Sequence, residues 1–467
     1  MRKDALAGVT TAAVVIPQSM AYATIAGLPV QVGLYTALVP LLAYALVGTS
    51  RALSVTTTST IAALTGAAVA TVPPDQAMAA ATTLAMLAGL LLVAAGVLKL
   101  GFLADFISHP VLAGFKAGTG LLIAVGQLGK VLGIEQTGDS FFEKLRSAIQ
   151  NLGEISWPTA GLAAATIAGL YALKRTQIPG ALVAVGAGIA VGALGLLDVA
   201  LTGAVPSGLP TPVAPDLDLI GPLLPAAAGI ALMSFVESIA AGRAIAHKGE
   251  REPIADRELL ALGAANLAGG LFRSLPAGGG LSQTAVNDGA ETKRAGLVTA
   301  GVTVLTLLFL TSVFADLPQA TLGALVLVSA IGLIQIEPLR QIGEIHRRGV
   351  LCGLVTLLGV LTLGVLQGVL IGVLASMLLV FHALNHPQID QLDDGTIRIH
   401  GPLYFANVQR VKRHVLELDP EPRLDMSAVT GVDVTAALVL VDFAPRMHGL
   451  NERTWRVLRH VSPDLPR

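Results

Sequence analysis

Two short polar interruptions constrain this chain more than any other feature: Leu53-Ser54-Val55-Thr56-Thr57-Thr58 and Leu281-Ser282-Gln283-Thr284-Ala285, each set in long apolar sequence. Each precedes a helical stretch too short to cross a bilayer, which needs about 20 largely apolar residues. A second echo lies upstream of each, Gln18-Ser19-Met20-Ala21 against Glu237-Ser238-Ile239-Ala240. Related halves with helices broken at matching places are the pattern of secondary transporters, where irregular backbone at membrane depth lines a binding cavity.

Composition fixes the class. Of 467 residues, 53% are hydrophobic and 13% charged, against about 25% charged in a soluble domain. Mean hydropathy is +0.72. The chain therefore reads as a polytopic membrane protein, all-α where embedded, because lipid offers backbone groups no hydrogen-bond partner. Its 51 glycines allow the close helix packing that replaces the hydrophobic effect inside a membrane. The single cysteine, Cys352, excludes an intrachain disulfide and a cysteine-based metal site. A net charge of −1 gives no electrostatic reason to expect nucleic acid. Zincin motifs, phosphate-binding loops and nucleophile elbows are absent, so neither an enzyme nor a cofactor is expected.

Hydropathy predicts helical segments at 5–26, 30–47, 55–72, 76–98, 108–132, 157–173, 179–197, 222–246, 257–272, 282–291, 295–315, 317–335, 349–365 and 367–385. That makes fourteen, seven per half. The third and tenth are the weak ones, and charge arbitrates. Counting both places Arg51, Lys99, Lys174, Arg175, His247, Lys248, Arg251, Lys293, Arg294, Arg340, Arg347 and Arg348 on the cytoplasmic side. It leaves outside the loop with Glu135, Asp139, Glu143 and Glu154, and the Pro-rich stretch 198–220 with Asp198, Asp216, Asp218 and no Lys or Arg. Residues 336–348 read as an amphipathic linker on the inner membrane surface.

From Gln391 the composition is that of a soluble module. A strand at Thr396-Ile397-Arg398-Ile399 precedes a helix with Val408, Val411 and Val415 on one face. A second strand, Leu424-Asp425-Met426, leads through Val432-Asp433-Val434-Thr435 to another apolar helix, so the module reads as α/β. It is short for an independent domain, as a truncated module would be, and the start of the chain almost at the membrane fits a missing amino-terminal stretch.

Several motifs together resemble the sulfate permease family, also called solute carrier family 26. They are Pro17-Gln18-Ser19-Met20-Ala21-Tyr22-Ala23 with Ala26-Gly27-Leu28-Pro29 and Gly33-Leu34-Tyr35, then Gly48-Thr49-Ser50-Arg51, Phe106-Ile107-Ser108-His109-Pro110-Val111-Leu112-Ala113-Gly114-Phe115 and Leu275-Pro276-Ala277-Gly278-Gly279-Gly280-Leu281-Ser282. The resemblance implies a transport domain over 1–390 built as a seven-plus-seven inverted repeat. A core (about 1–100 and 221–316) would move against a gate (about 101–220 and 317–390), with half-helices in segments 3 and 10. It further implies that 391–467 is a cytoplasmic sulfate-transporter and anti-sigma-antagonist (STAS) domain, that the protein is a homodimer in a bacterial inner membrane with both termini cytoplasmic, and that its substrate is a small anion such as sulfate, bicarbonate or a dicarboxylate like fumarate. Three departures stand out. Thr56-Thr57 stands where the family often has Gly-Pro, Gln283 stands where relatives often carry a basic residue, and Val434 follows Asp433 where a phosphorylatable serine is common.

An anion at the bilayer midplane must replace its lost hydration, at a cost of several kcal/mol per unmet polar group. Facing helix amino-termini can do so with unpaired N–H groups and about half an elementary charge each. Thr56, Thr57 and Thr58 are expected to begin one half-helix, and Gly279, Gly280, Leu281, Ser282 and Gln283 the other. The plain alternative is a capped ordinary helix and a glycine corner. Glu237, mid-helix among apolar neighbours, is the expected proton-coupling group, since ionisable side chains inside membranes are costly and functional; a structural glutamate is its alternative and sodium the competing ion. Gln18 holds the matching place in the first helix, with Tyr22 one turn later. Lys116 reads as a snorkelling side chain near a helix end, and His109, His382 and His386 as polar anchors. The reading is a proton-coupled anion symporter working by alternating access, with a nucleobase permease of the same fold and an anion channel or exchanger as alternatives.

Overall fold

The computed structural model describes residues 2–102, 108–138, 140–174, 176, 180–246, 253–334, 340, 347–418 and 422–463. Most of the expected linker 336–348, the basic residues Arg175, His247, Lys248 and Arg251, and Phe106 and Ile107 of the fifth-segment motif lie outside these. The chain forms two compact units, Met1–Val373 and Leu374–Arg467.

In the first unit, α1 (Arg2–Ile25) and α2 (Val30–Val47) are joined by a turn at Gly27, whose φ of +71° lies in the left-handed region open to glycine. Then come β1 (Val55–Thr56), α3 (Ser59–Val69), α4 (Ala77–Val97), α5 (His109–Gly126) and α6 (Leu128–Leu132). The acidic loop expected on the outside contains α7 (Phe141–Gln150), started by a reciprocal Ser140–Glu143 capping box. Next are α8 (Trp157–Leu173), α9 (Gly180–Ala193), α10 (Ile220–Ile245), α11 (Ala255–Leu271), β2 (Gly278–Gly279), α12 (Leu281–Val286) and α13 (Arg294–Leu305). The expected segment 295–315 is not one α-helix: α13 gives way to a π-turn at Thr306–Leu310 and a 3-10 turn at Thr311–Asp316. The unit continues with α14 (Gln319–Leu333), α15 (Arg347–Leu363) and the first part of α16 (Val365–Leu384). Among the described residues, seven helices are long and apolar enough to cross a membrane, and five further apolar helices are shorter.

Packing sorts these helices into two groups. In one, α11 packs most extensively on α4 and also on α2, α10 packs on α4, and α12 and α13 pack on α1, whereas α5, α6, α8, α14 and α15 pack among themselves. Small residues permit the close contacts: a Cβ on Gly114 of α5 would fall on the backbone of Gly353 in α15. α1 borders both groups through contacts with α9 and α14. At one end of the first group, polar ties fix the loops. Asp4 accepts hydrogen bonds from the Glu291 and Thr292 amides (2.9 and 2.8 Å), Arg51 donates to the Asp288 and Ala290 carbonyls, and Lys293 donates to the Gly48 carbonyl (2.7 Å). Buried Glu258 on α11 accepts from the Tyr44 hydroxyl (2.8 Å) and from Thr49.

In the second unit, β3 (Ile389–Gln391), β4 (Ile397–Ile399), β6 (Leu424–Asp425) and β8 (Met447–His448) form one sheet in that order, antiparallel at β3–β4 and parallel thereafter. A second parallel pair joins β5 (Gly401–Leu403) to β7 (Val429–Val432). Helices α17 (Val408–Leu416), α18 (Val434–Leu440) and α19 (Glu452–Val461) complete the α/β module. As the spacing predicts, α17 buries Val408, Val411 and Val415 against Ile397, Ile399 and Leu424. Asp433 caps α18 through the Ala436 amide (2.7 Å). Hydrogen bonds from Ser427, assisted by the Arg398 guanidinium at 2.7 Å, hold the Asp425 carboxyl far below the usual carboxylate range. Such a depressed group stabilises the module above the ordinary carboxylate pKa, and the contribution is lost as pH falls toward the folded-state value.

Candidate functional site

The two polar interruptions meet. Val55 pairs with Gly279 and Thr56 with Gly278 in a short antiparallel ladder, so the chain crosses itself where each half breaks its helix. The crossing is tight: a Cβ on Gly278 would lie 2.7 Å from Ile61 Cδ1 and 3.0 Å from Ser234 Cα. Side chains brace it from behind. Ser234 donates to the Ala277 carbonyl (2.6 Å), Ser238 accepts from the Gly279 amide (2.7 Å), and Asn266 on α11 bonds both the amide and the carbonyl of Ala277. Ser238 belongs to the Glu237-Ser238 echo; Asn266, a lone amide in an apolar helix, is a signal the sequence reading passed over.

The first half-helix begins later than the sequence predicts, and the second begins at Leu281, within one residue of the expected 282. Thr56 lies in β1, and the helix starts only after Thr58, whose hydroxyl accepts from the Ile61 amide (3.2 Å) as an N-cap. The Thr56 hydroxyl instead donates to Gln283 Oε1 (2.7 Å), and Gln283 Nε2 donates to the Thr57 carbonyl (3.2 Å), so Gln283 straps one interruption to the other. Gly279 is in β2, Gly280 caps α12, and Leu281 is its first residue. The backbone of Ser282 lies in the first turn of α12; its side chain is outside what the structure describes. α12 has only six residues before a 3-10 turn at Asn287–Gly289, so fewer peptide dipoles add there than in eleven-residue α3.

Both helix starts border a cavity of about 820 Å³. Of the expected residues, Gln18, Tyr22, Thr58, Glu237, Gly280, Leu281 and Gln283 line it, while Thr56, Thr57 and Gly279 are buried behind it. Glu237, half-buried on α10, accepts a hydrogen bond from the Thr58 hydroxyl (2.9 Å), coupling the carboxylate to the α3 cap. Gln18 Oε1 has no hydrogen-bond partner among the described residues. The opposite wall comes from the second helix group and carries Lys116 of α5 and Ser329 of α14. Lys116 is thus not a residue turned to the membrane surface. It faces the cavity, within electrostatic reach of Glu237, and its ammonium makes no hydrogen bond or ion pair with a described residue. A cation, a carboxylate and two sets of orphaned helix N–H groups around one cavity can hold a small anion. The cavity continues to Lys174 and Thr176 beyond α8 and to Ile334 at the end of α14.

The sulfate permease family profile matches residues 1–356, and the STAS domain profile matches 385–450. A probable sulfate transporter of Mycobacterium tuberculosis is 36% identical over 93% of this chain and 85% of its own length. The inward-facing structure of the mouse solute carrier 26 family member A9 anion transporter superposes with a TM-score of 0.88 at 23% identity, covering 98% of this chain and 87% of that one. The transmembrane domain of a cyanobacterial bicarbonate transporter gives 0.69 at 24% identity, over 80% of this chain and 97% of its own.

Proposed function

The chain belongs to the sulfate permease family, and from that premise we propose that it is a proton-coupled symporter of a small oxyanion, with sulfate the first candidate. It is a multi-pass membrane transporter of anions, not an enzyme. The β1–β2 crossing carries the reading, because it holds the α3 cap, Glu237 and the start of α12 at one cavity wall while Lys116 closes the other. The anion sits between them. The N–H groups of Ser59 and Thr60 in the first turn of α3, and of Leu281 to Gln283 in α12, face no intrahelical acceptor, and Lys116 supplies the charge that Gln283 does not.

Glu237 carries the coupling proton. Protonated, it removes the repulsion that an anion beside a carboxylate would meet and still accepts from Thr58; ionised, it competes with the anion for Lys116. The helices packed with α1 and α2 are the moving core and those around α5 and α14 the gate, with α1 at the boundary. The cavity reaches Lys174 on the side that the positive-inside distribution assigns to the cytoplasm, which supports an inward-open state in a bacterial inner membrane with both termini inside. A homodimer is the expected assembly.

The test is uptake by the purified protein in liposomes of labelled sulfate, bicarbonate and fumarate, with and without an inward proton gradient. Gradient-driven accumulation of one anion fixes substrate and coupling together. Exchange or leak without accumulation would remove the proton from the cycle.

A further inference from the structure

A second cavity, of about 370 Å³, lies at the other end of the boundary between the helix groups. Its walls are the α1–α2 turn with Thr24 and Gln31, Lys130 of α6, the segment around Thr202, and the start of α14 with Gln319. Lys130 is the one ionisable side chain among its lining residues. The lysine stem lies over Gly323 of α14, where an added Cβ would come 3.1 Å from Lys130 Cβ. Its ammonium, like that of Lys116, makes no hydrogen bond or ion pair with a described residue. The nearby polar groups are partly engaged elsewhere: Thr24, Thr202 and Gln319 donate to the carbonyls of Ala21, Leu317 and Leu201.

The placement is what makes this lysine informative. The cavity is lined by Thr202, Ala204 and Val205 of the stretch 198–220, which the charge distribution assigns to the outside, and none of Asp198, Asp216 and Asp218 lines it. Lys116 and Lys130 are fourteen positions apart along α5 and α6, or about 21 Å at 1.5 Å per residue. Lys116 therefore stands in the larger cavity, which also reaches Lys174, and Lys130 alone stands in the smaller one, while the half-helix starts border only the larger cavity.

We propose that Lys130 makes the smaller cavity an outer anion-binding station, occupied by the small oxyanion before the central site opens outward. The proposal rests on the transport reading above. Loss of the ammonium removes one charge-assisted hydrogen bond to the anion, but only for anions arriving from outside.

In proteoliposomes of fixed orientation, Lys130→Gln is expected to raise the external half-saturating concentration of labelled sulfate about tenfold. The internal value should stay within about twofold, a shift too small to represent a lost charge-assisted contact, and Lys130→Arg should behave as wild type. An equal shift on both sides, or none, overturns the proposal. Independently of transport, sulfate should slow modification of Lys130 by a membrane-impermeant amine reagent added outside, read by mass spectrometry of the native chain. Unprotected labelling of Lys130 refutes the station even if Lys130→Gln fails to fold. Wild-type protein that moves no anion from either side refutes the transport reading instead, and the labelling result still decides this one.

Discussion

At the residue scale, Glu237 was legible because a carboxylate flanked by Phe235, Val236, Ile239 and Ala240 has no cheap reason to be there. Lys116 was not, because hydropathy is one-dimensional. A lysine near a helix start is normally read as reaching for the interface, and only the packing of α5 against α14 and α15 turns it into the cavity. The two residues carry separable predictions. Glu237→Gln keeps an amide oxygen able to accept from Thr58, so folding and anion exchange should persist while proton-driven accumulation falls to the level of simple equilibration. Undiminished accumulation with an unchanged pH profile would take Glu237 out of the coupling. Lys116→Gln should leave the response to the proton gradient in place and raise the half-saturating anion concentration by about tenfold or more, as expected for the loss of a desolvated cation. An unaltered concentration dependence would show that helix N–H groups alone hold the substrate.

At the element scale, the existence of the broken helices was readable from the paired polar interruptions, but the start of the first and the extended backbone before each were not. Thr56, Thr57 and Gly279 sit where a helix beginning is chemically acceptable, and it is the long-range pairing of Val55 with Gly279 and Thr56 with Gly278 that keeps them extended. No local propensity encodes a ladder between segments in opposite halves of the chain. The same limit hid the role of Gln283: its departure from the family's usual basic residue looked like a lost charge, whereas its amide straps Thr56 and Thr57 to the other half. α7 is a different case, since the Ser140–Glu143 capping box was present in the sequence but the polar loop around it drew attention only to charge. Gln283→Leu keeps the volume and removes the strap, leaving the buried Thr56 hydroxyl without that acceptor. The cost should be about 1–3 kcal/mol, visible as a lower midpoint of thermal unfolding in detergent, with sulfate restoring less of the stability than it does in the parent. An unchanged midpoint would mean that the ladder and its Ser234, Ser238 and Asn266 braces suffice without the amide.

At the scale of the whole molecule, the two-halves architecture and the separate α/β module follow from composition and echo alone, whereas the conformational state follows only from where the cavities lie. The larger one holds both half-helix starts and runs to Lys174; the smaller one, at the α1–α2 turn, reaches none of the residues around Glu237. That asymmetry makes a sided prediction. Leu281 lines the large cavity and is 49% exposed, whereas Cys352, the single native cysteine, is buried. A Leu281→Cys substitution in a Cys352→Ser background therefore places one reactive thiol beside the substrate site. With the transporter at rest, an impermeant thiol reagent should modify it from the cytoplasmic face and scarcely from the outside, and sulfate in the cavity should slow the reaction. An outward proton gradient, which favours reorientation of the loaded core, should open the thiol to the external reagent. Faster labelling from outside at rest would reverse the orientation argued from Lys174 and the positive loops. Equal labelling from both faces would mean a continuous pathway, and the chain would then conduct as a channel instead of alternating between two closed ends.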